Sequence, residues 1–134
     1  MHTWTPQTGR NGDGWTYTYD AHKLVGFKQT HQPSPWINDY GCFSLFPVSG
    51  ERPGYTEEER ASWFSHKAER ATPYEYSVYL AEYDIEASFS PTSRACIFRI
   101  RYPSGAPASL IVDVMDRDGQ TRKGHIRVDT VAEL

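Results

Sequence analysis

Residues 31–41 concentrate the side chains that could recognise a ligand. These groups fall within ten consecutive residues: His31, Gln32, Ser34, Trp36, Asn38, Asp39 and Tyr40. A tryptophan ring offers a flat apolar face to the C–H groups of a sugar ring, and nearby imidazole, amide and carboxylate groups can share hydrogen bonds with the sugar hydroxyls. The segment therefore indicates carbohydrate binding.

The same residues also fit a purely structural role. In that interpretation, Trp36 fills the end of the fold and Asp39 caps the turn that follows it. Pro33 and Pro35 restrict the backbone and favour a stiff, extended loop, which suits either role. Composition alone leaves both interpretations open.

No catalytic constellation accompanies this loop in the sequence. Gly-x-Ser-x-Gly, a glycine-rich phosphate loop and His-Glu-x-x-His are all missing, and each of the five histidines is isolated. Hydrolysis of a glycoside needs two carboxyl groups that face each other across the scissile bond. Asp39 is the only carboxylate in the loop, and the others are scattered over predicted strands and charged loops: Glu69, Glu75, Glu82 and Asp84. The sequence therefore assigns no acid–base pair.

Two predicted strands hold the loop at its ends. Residues 24–30 are predicted to form the strand that leads into it, with a close backbone approach at Gly26. Residues 42–47 are predicted to form the strand that follows it, ended by Pro47 and Gly50.

The segments before these strands are predicted to be a turn-rich start and half of a hairpin. Residues 1–14 carry turn dipeptides such as Asn11-Gly12. Trp15, Tyr17 and Tyr19 then alternate with threonines, which is the period of a strand, so we expect this segment to pair with residues 24–30.

The second half of the chain predicts one short helix and several strands. The capping-box pattern that begins at Thr56 predicts one short helix near residues 57–62. The charge runs 57–60 and 67–70 are predicted to be solvated surface. Alternating apolar residues from Pro73 onward predict further strands, including residues 110–114, buried on at least one face, and a last strand at residues 125–130.

The whole pattern predicts an all-β protein. Roughly eight or nine short strands, spaced by about 8–12 residues with no long helical period, favour an antiparallel β-sandwich, and 134 residues favour one domain. The net charge of −3 argues against a nucleic-acid partner. No apolar run approaches the roughly 20 residues that cross a membrane, and the start of the chain does not look like a signal peptide.

The two cysteines and the aspartates near the end of the chain do not predict a metal site. Cys42 and Cys96 are too few and too far apart for a zinc site or a disulfide framework, so we predict two half-buried strand cysteines, although the two could also pair. Asp116 and Asp118 begin like a calcium loop, but the glutamate that should follow is missing.

Several ordered motifs resemble one known family. Trp4-Thr5-Pro6-Gln7-Thr8, the strand and loop from Gly26 to Trp36, and Asp39-Tyr40-Gly41 resemble the N-terminal domain of the family 92 glycoside hydrolases. Phe64-Ser65-His66 and the residues that follow it are similar to the same domain. These hydrolases are calcium-dependent, inverting, exo-acting α-mannosidases. The resemblance covers most of residues 4–114.

The resemblance implies roles for individual residues. The Gln32-Pro33-Ser34-Pro35-Trp36 version of the loop resembles the members that act on α-1,2-linked mannose, in which the loop tryptophan lines the leaving-group subsite; here it is Trp36. His31, Gln32, Asp39 and Tyr40 are then expected to line the same cleft. His66 is expected to be structural. Mannose-containing oligosaccharides are the implied ligands.

The resemblance also implies a larger protein. In the family, a C-terminal (α/α)-barrel carries the catalytic acid and base and most ligands of the Ca²⁺ ion, and the N-terminal sandwich packs against it. We therefore expect residues 1–134 to be a single, truncated fragment of that sandwich, inactive alone and with exposed strand edges. Family members are often secreted or periplasmic, and the location of this chain stays open. A free-standing carbohydrate-binding sandwich without catalysis, or an assembly module, is the alternative.

Overall fold

The structure, a computed structural model, describes residues 3–9, 16–30, 43–51, 54 and 56–114. These residues form mainly short strands, with one short α-helix, α1 (Glu57–Arg60), and one 3₁₀ turn (His66–Ala68). The strands are β1 (Thr3–Gln7), β2 (Lys23–Leu24), β3 (Gly26–Thr30), β4 (Phe43–Ser49), β5 (Ser62–Trp63), β6 (Glu69–Ala71), β7 (Tyr76–Leu80), β8 (Ile85–Pro91), β9 (Cys96–Arg101) and β10 (Ala108–Val114).

The strands build two antiparallel sheets and a small ribbon. The first sheet has the order β1-β3-β4-β10, the second sheet has the order β6-β7-β8-β9, and β2 pairs with β5 in the ribbon. Phe27 of the first sheet packs against Tyr76 and Phe89 of the second, with ring centroids 6.4 and 5.7 Å apart. The predicted all-β class and antiparallel sandwich are therefore confirmed.

The apolar core lies where alternation predicted it in the second sheet. Tyr76, Val78 and Leu80 of β7 are buried, and so are Ile85, Ala87 and Phe89 of β8. Their neighbours along each strand are less buried, as expected for a sheet with one covered face. In β9, Cys96 is half-buried with a free thiol, whose pKa burial raises to about 11, so the prediction for this cysteine is confirmed. Cys42 lies outside the described residues.

The prediction for the first residues of the chain is wrong. Thr3–Gln7, expected to be a loop, forms β1 and pairs with β3 from Thr3↔Thr30 to Gln7↔Gly26. Pro6 is tolerated because β1 is an edge strand of the first sheet, where a missing backbone donor is least costly. Because β1 occupies this place beside β3, the expected hairpin partner at residues 16–19 is absent from the sheet.

Residues 16–20 instead form a bend and a turn. The Thr8 amide donates to the Thr16 carbonyl, and the Ala21 amide donates to the Thr18 carbonyl. Tyr17 and Tyr19 are explained by their side-chain contacts and not by a strand. The Tyr17 hydroxyl donates to Glu69, and the Tyr19 ring stacks on His66.

The predicted strand at residues 24–30 divides at Val25. Leu24 pairs with Ser62 in the ribbon, whereas Gly26 begins β3. The close approach predicted at Gly26 is confirmed, since a β-carbon there would lie 3.1 Å from Ser44 Oγ. The predicted strand after the loop is also confirmed, but it runs through Pro47 to Ser49.

One prediction about burial is wrong. Arg60, placed in a solvated charge run, is only 1% exposed, because the short helix turns it towards the first sheet. The strand at residues 110–114 is covered on one face, as predicted, because Ile111 packs against the core. Its other face, with Leu110, Val112 and Val114, is 46%, 41% and 49% exposed at these side chains and is not covered by the described residues.

The helix near residues 57–62 is confirmed as α1, which ends at Arg60 because Ala61 is extended and β5 follows. Thr56 and Glu59 form the predicted capping box. The expected turn at 116–119 and strand at 125–130 lie outside the described residues. In the part of the chain that is described, no helix has the length and apolar character needed to span a membrane.

Candidate functional site

The predicted recognition loop connects the two central strands of the first sheet. β3 ends at Thr30 and β4 begins at Phe43, and the two strands pair at Phe27↔Leu45 and Lys28↔Ser44. Because the pairing is antiparallel, residues 31–42 begin and end at the same end of this sheet. The predicted site residues all lie outside the described residues: His31, Gln32, Trp36, Asp39 and Tyr40.

An aromatic cluster lies close to the base of the loop. Trp4 packs edge-on against Phe43, the first residue of β4, with ring centroids 5.5 Å apart. Trp4 also packs edge-on against Phe98 of β9, at 4.9 Å. These contacts connect both sheets next to the point where the loop rejoins β4, and edge-to-face pairs of this kind add about 0.5–1.5 kcal/mol beyond area burial. The base of the loop is therefore firmly held.

A cluster of buried polar side chains lies on the other face of β3 and β4. Its members are at most 5% exposed: Gln7, Lys28, Ser44 and Arg60. Burial lowers the pKa of the Lys28 ammonium, while the charge of Glu57 acts in the opposite direction. Buried charges are stable only when partners compensate them, so the contacts of Arg60 and Glu57 decide what this cluster does.

Arg60 connects α1 to two other parts of the fold. Its Nε donates to the Val25 carbonyl at 3.0 Å, where the chain passes from the ribbon into β3. Its Nη2 lies 2.6 Å from Asp113 Oδ2 on β10 and 3.9 Å from Glu57 Oε1. The Nη2 N–H bonds are not directed at an acceptor, so the contact with Asp113 is a close ion pair rather than a directed hydrogen bond. Gln7 Nε2 extends the network by donating to Glu57 Oε1 at 3.0 Å.

A second cluster is centred on Glu69, the first residue of β6. Both carboxylate oxygens accept from the Tyr17 hydroxyl at 3.0 Å, and Oε1 also accepts from the Tyr76 hydroxyl at 2.6 Å. His66 Nδ1 lies 2.6 Å from Oε2. Burial and the bond to Glu69 raise the pKa of both Tyr17 and Tyr76, so both tyrosines are neutral donors.

This cluster favours the protonated form of His66. Its Nδ1 faces the Glu69 carboxylate and its Nε2 faces the Tyr19 carbonyl, each at 2.6 Å. Both groups accept hydrogen bonds, so the contacts favour a ring with protons on both nitrogens. The hydrogen bond to Glu69 raises the pKa of His66, and the Tyr19 ring stacks on the imidazole with centroids 4.1 Å apart. This geometry agrees with the structural role expected for His66.

Neither cluster is an assembled catalytic pair. Glu69 is occupied by three donor side chains, and Glu57 is engaged by Gln7 and Arg60. Among the residues that the structure describes, no group of three or more His, Cys, Asp or Glu side chains could hold a metal ion. The two clusters therefore hold secondary-structure elements together.

Sequence reasoning missed the burial of Arg60 and the low exposure of the Glu69 side chain, which is 9%, although one signal was present for Arg60. The four residues of α1, Glu-Glu-Glu-Arg, include no apolar side chain. A helix that lies against the core without an apolar face must bury at least one charged group. The burial of Arg60 follows from this, whereas nothing local in the sequence marks Glu69.

These features define a β-sandwich domain in which aromatic contacts between the two sheets hold the start of β4. The family model of the glycosyl hydrolase family 92 N-terminal domain matches residues 1–133, and the chain belongs to this family. A search of curated proteins gives no match.

Solved structures of the same family resemble the chain closely. An inverting mannosidase of family 92 from Bacteroides thetaiotaomicron VPI-5482 has 48% identity and a TM-score of 0.77 over 84% of this chain. A family 92 α-mannosidase from Bacteroides thetaiotaomicron, solved in complex with mannoimidazole, has 32% identity and a TM-score of 0.71 over 83% of this chain. The alignments cover only 15% and 16% of those two proteins, so this chain corresponds to a small part of their length.

Proposed function

We propose that this chain forms one wall of the substrate site of an exo-acting, inverting α-mannosidase. The observation that carries the proposal is the position of residues 31–42, which connect the two central strands of the first sheet at one of its ends. A loop held by paired central strands and by the Trp4–Phe43 contact can present its side chains at a fixed place. The solved members of family 92 that resemble the chain are mannosidases, which supports mannose-containing oligosaccharides as the substrate class.

Trp36 lines the leaving-group subsite in this proposal. Its ring packs against the second sugar of an α-1,2-linked substrate, and the polar groups of His31, Gln32, Asp39 and Tyr40 fix the orientation of that sugar. A contact that strengthens in the transition state raises turnover, whereas one that is equally strong in the ground state changes only the Michaelis constant.

The acid and base lie outside this chain in the same proposal. Inversion at a sugar needs two carboxyl groups about 6.5–9.5 Å apart, with an activated water between the second group and the ring. We assign these groups to a C-terminal (α/α)-barrel that packs against the sandwich. We assign the calcium ion of the family to the same part of the protein.

The proposal is tested by the substitution Trp36→Ala in the enzyme that contains the barrel. We expect kcat/KM for α-1,2-mannobiose to fall about tenfold or more, and kcat/KM for an aryl α-mannoside, which places no sugar in the leaving-group subsite, to change much less. Trp63→Ala is the matched control, because Trp63 is 50% exposed on β5. Equal losses for both substrates would contradict the assignment of Trp36.

Measurements on the 134-residue chain alone distinguish this function from a free-standing binding module. If the proposed function is correct, the chain should release no mannose from α-1,2-mannobiose and should show no saturable change in tryptophan fluorescence at millimolar mannobiose. Saturable binding that Trp36→Ala abolishes would favour the binding module. Release of mannose by the purified chain would contradict both.

A further inference from the structure

The outer face of the second sheet carries a groove lined mainly by β7, β8 and β9. Its volume is about 520 Å³, within the range of about 300–1,000 Å³ typical of small-molecule sites. The side chains that matter to the argument come from three neighbouring strands: Ser77, Tyr79, Glu86, Ser88, Arg99 and Arg101. They form two rows across the sheet.

The first row contains polar groups with no partner among the described residues. Ser77 of β7 is opposite Ser88 of β8, and Ser88 is opposite Arg99 of β9, so all three side chains lie on one face. Neither hydroxyl nor the Arg99 guanidinium makes a side-chain hydrogen bond or ion pair within the described part of the chain. The row therefore offers two hydroxyls and a five-donor planar group to a ligand.

The second row is held in place by the protein itself. The Tyr79 hydroxyl donates to Asp84 Oδ1 at 2.7 Å, which fixes the position of a ring that is 37% exposed. Arg101 pairs with Glu86 at 2.9 Å on the next two strands. The ring and the ion pair are thus oriented before any ligand binds, which reduces the entropic cost of binding.

The charges of the groove select the kind of ligand. Arg99 and Arg101 are balanced by Glu75 and Glu86, so the lining has no net charge. An anionic ligand would meet two carboxylates, and an apolar peptide would find little apolar surface among serine, arginine and glutamate side chains. A neutral sugar fits best, because its hydroxyls accept from guanidinium groups and donate to carboxylates, and its C–H face can lie on the Tyr79 ring.

We propose that this groove is a second sugar-binding site, which takes a neutral stretch of a mannose-containing chain away from the residue being cleaved. This proposal takes only the substrate class, mannose-containing chains, from the proposed function. A second contact on the same polysaccharide makes rebinding at the first site intramolecular, so it raises avidity for long substrates and leaves short ones unaffected.

The test is affinity electrophoresis of the 134-residue chain in gels that contain soluble α-mannan. We expect retardation of the wild-type chain, and a loss of affinity of at least about tenfold in Arg99→Ala, as expected when hydrogen bonds to a charged group are removed. Arg94→Ala is the matched control, since this exposed arginine lies in the β8–β9 turn outside the groove. Tyr79→Ala should weaken retardation as Arg99→Ala does.

Three outcomes would overturn the second site. The first is that the gel does not retard the wild-type chain. The second is that Arg99→Ala is retarded as strongly as the wild type. The third is that Trp36→Ala abolishes the retardation while Arg99→Ala does not. A second assay, the hydrolysis of α-1,2-mannobiose, shows whether a failure concerns the second site or the proposed function. Arg99→Ala should leave that hydrolysis unchanged in the barrel-containing enzyme, whereas Trp36→Ala should impair it.

Discussion

Arg60 Nη2 and Asp113 Oδ2 lie 2.6 Å apart and join the short helix α1 to the edge strand β10. The arginine side chain is 1% exposed and the aspartate side chain is 33% exposed, so the pair extends from the interior towards the surface. A buried guanidinium without a counter-charge is strongly destabilising, while the net value of the intact pair is small. The pair therefore acts mainly to fix the position of α1 and β10.

Asp113→Asn should destabilise the fold by about 2–3 kcal/mol. Loss of one partner of a fully buried pair costs about 3–5 kcal/mol, and we expect less here because Asp113 is partly exposed and Glu57 lies 3.9 Å from the same nitrogen. Urea unfolding measures the change. Glu86→Gln is the control, because it removes a carboxylate from an exposed pair that is worth about 0–1 kcal/mol. Equal effects of the two substitutions would show that Arg60 does not depend on Asp113.

Tyr76→Phe should destabilise the fold by about 1.5–3 kcal/mol, the range for a hydrogen bond to a charged group. The substitution removes the 2.6 Å bond to Glu69 Oε1 and keeps the ring contacts with Phe27 and Phe89. Tyr79→Phe is the matched control, because its hydroxyl bonds to Asp84 at the exposed surface and should contribute about 0.5 kcal/mol or less. A change in thermal midpoint that is the same for both variants would contradict the role of the Glu69 cluster.

The parts of the fold that follow from local patterns were predictable. Period-2 alternation correctly predicted the buried faces of β7 and β8, and the Thr56–Glu59 capping box correctly predicted the start of α1. Both predictions are correct because the side-chain direction in a strand and the cap of a helix depend on neighbours in sequence.

The parts that depend on contacts between distant residues were not predictable. β1 is a strand because it pairs with β3, which outweighs the turn preference of its own residues. The Glu69 side chain is only 9% exposed because Tyr17, 52 residues away, and Tyr76 both pack against it and donate to it. For residues 31–42, the sequence alone supports the hypothesis of a binding role, and the structure adds that the flanking strands β3 and β4 pair as the central strands of the first sheet.

The stability of the chain should decrease with rising pH through the titration of His66. Its hydrogen bond to Glu69 raises the pKa of the folded imidazole above the ordinary value of 6.5. The protonated ring therefore stabilises the fold fully below pH 6.5, and this contribution is lost as the pH rises through the folded-state pKa. Asp20 and Glu69 both favour the charged form of the ring, and His22 lies 5.6 Å from it between centroids.

The measurement is the free energy of unfolding in urea between pH 5.5 and 9 for the wild type and His66→Gln. The difference between the two should be largest at low pH and should shrink as the pH rises. Arg94→Ala, in the exposed β8–β9 turn, is the control and should keep the pH dependence of the wild type. A difference that is constant over this pH range would show that His66 does not change its protonation with folding.

Gly26→Ala should destabilise the fold by about 1–3 kcal/mol, the usual cost of adding a methyl group to a well-packed site. The new β-carbon would lie 3.1 Å from Ser44 Oγ and 3.3 Å from Gln7 Oε1, so both neighbours would have to move. Ser44 is fully buried and cannot simply turn out to solvent. Thermal unfolding of the single variant gives the size of the effect.

A double variant identifies Ser44 as the cause. In Gly26→Ala/Ser44→Ala the closest of these contacts is removed, so the double variant should be more stable than the sum of the single effects by about 0.5 kcal/mol or more. Ser93→Ala, in the exposed β8–β9 turn, is the control and should combine additively with Gly26→Ala. Additivity with Ser44→Ala as well would mean that the cost at Gly26 arises from the backbone and not from the crowding that Ser44 imposes on β3.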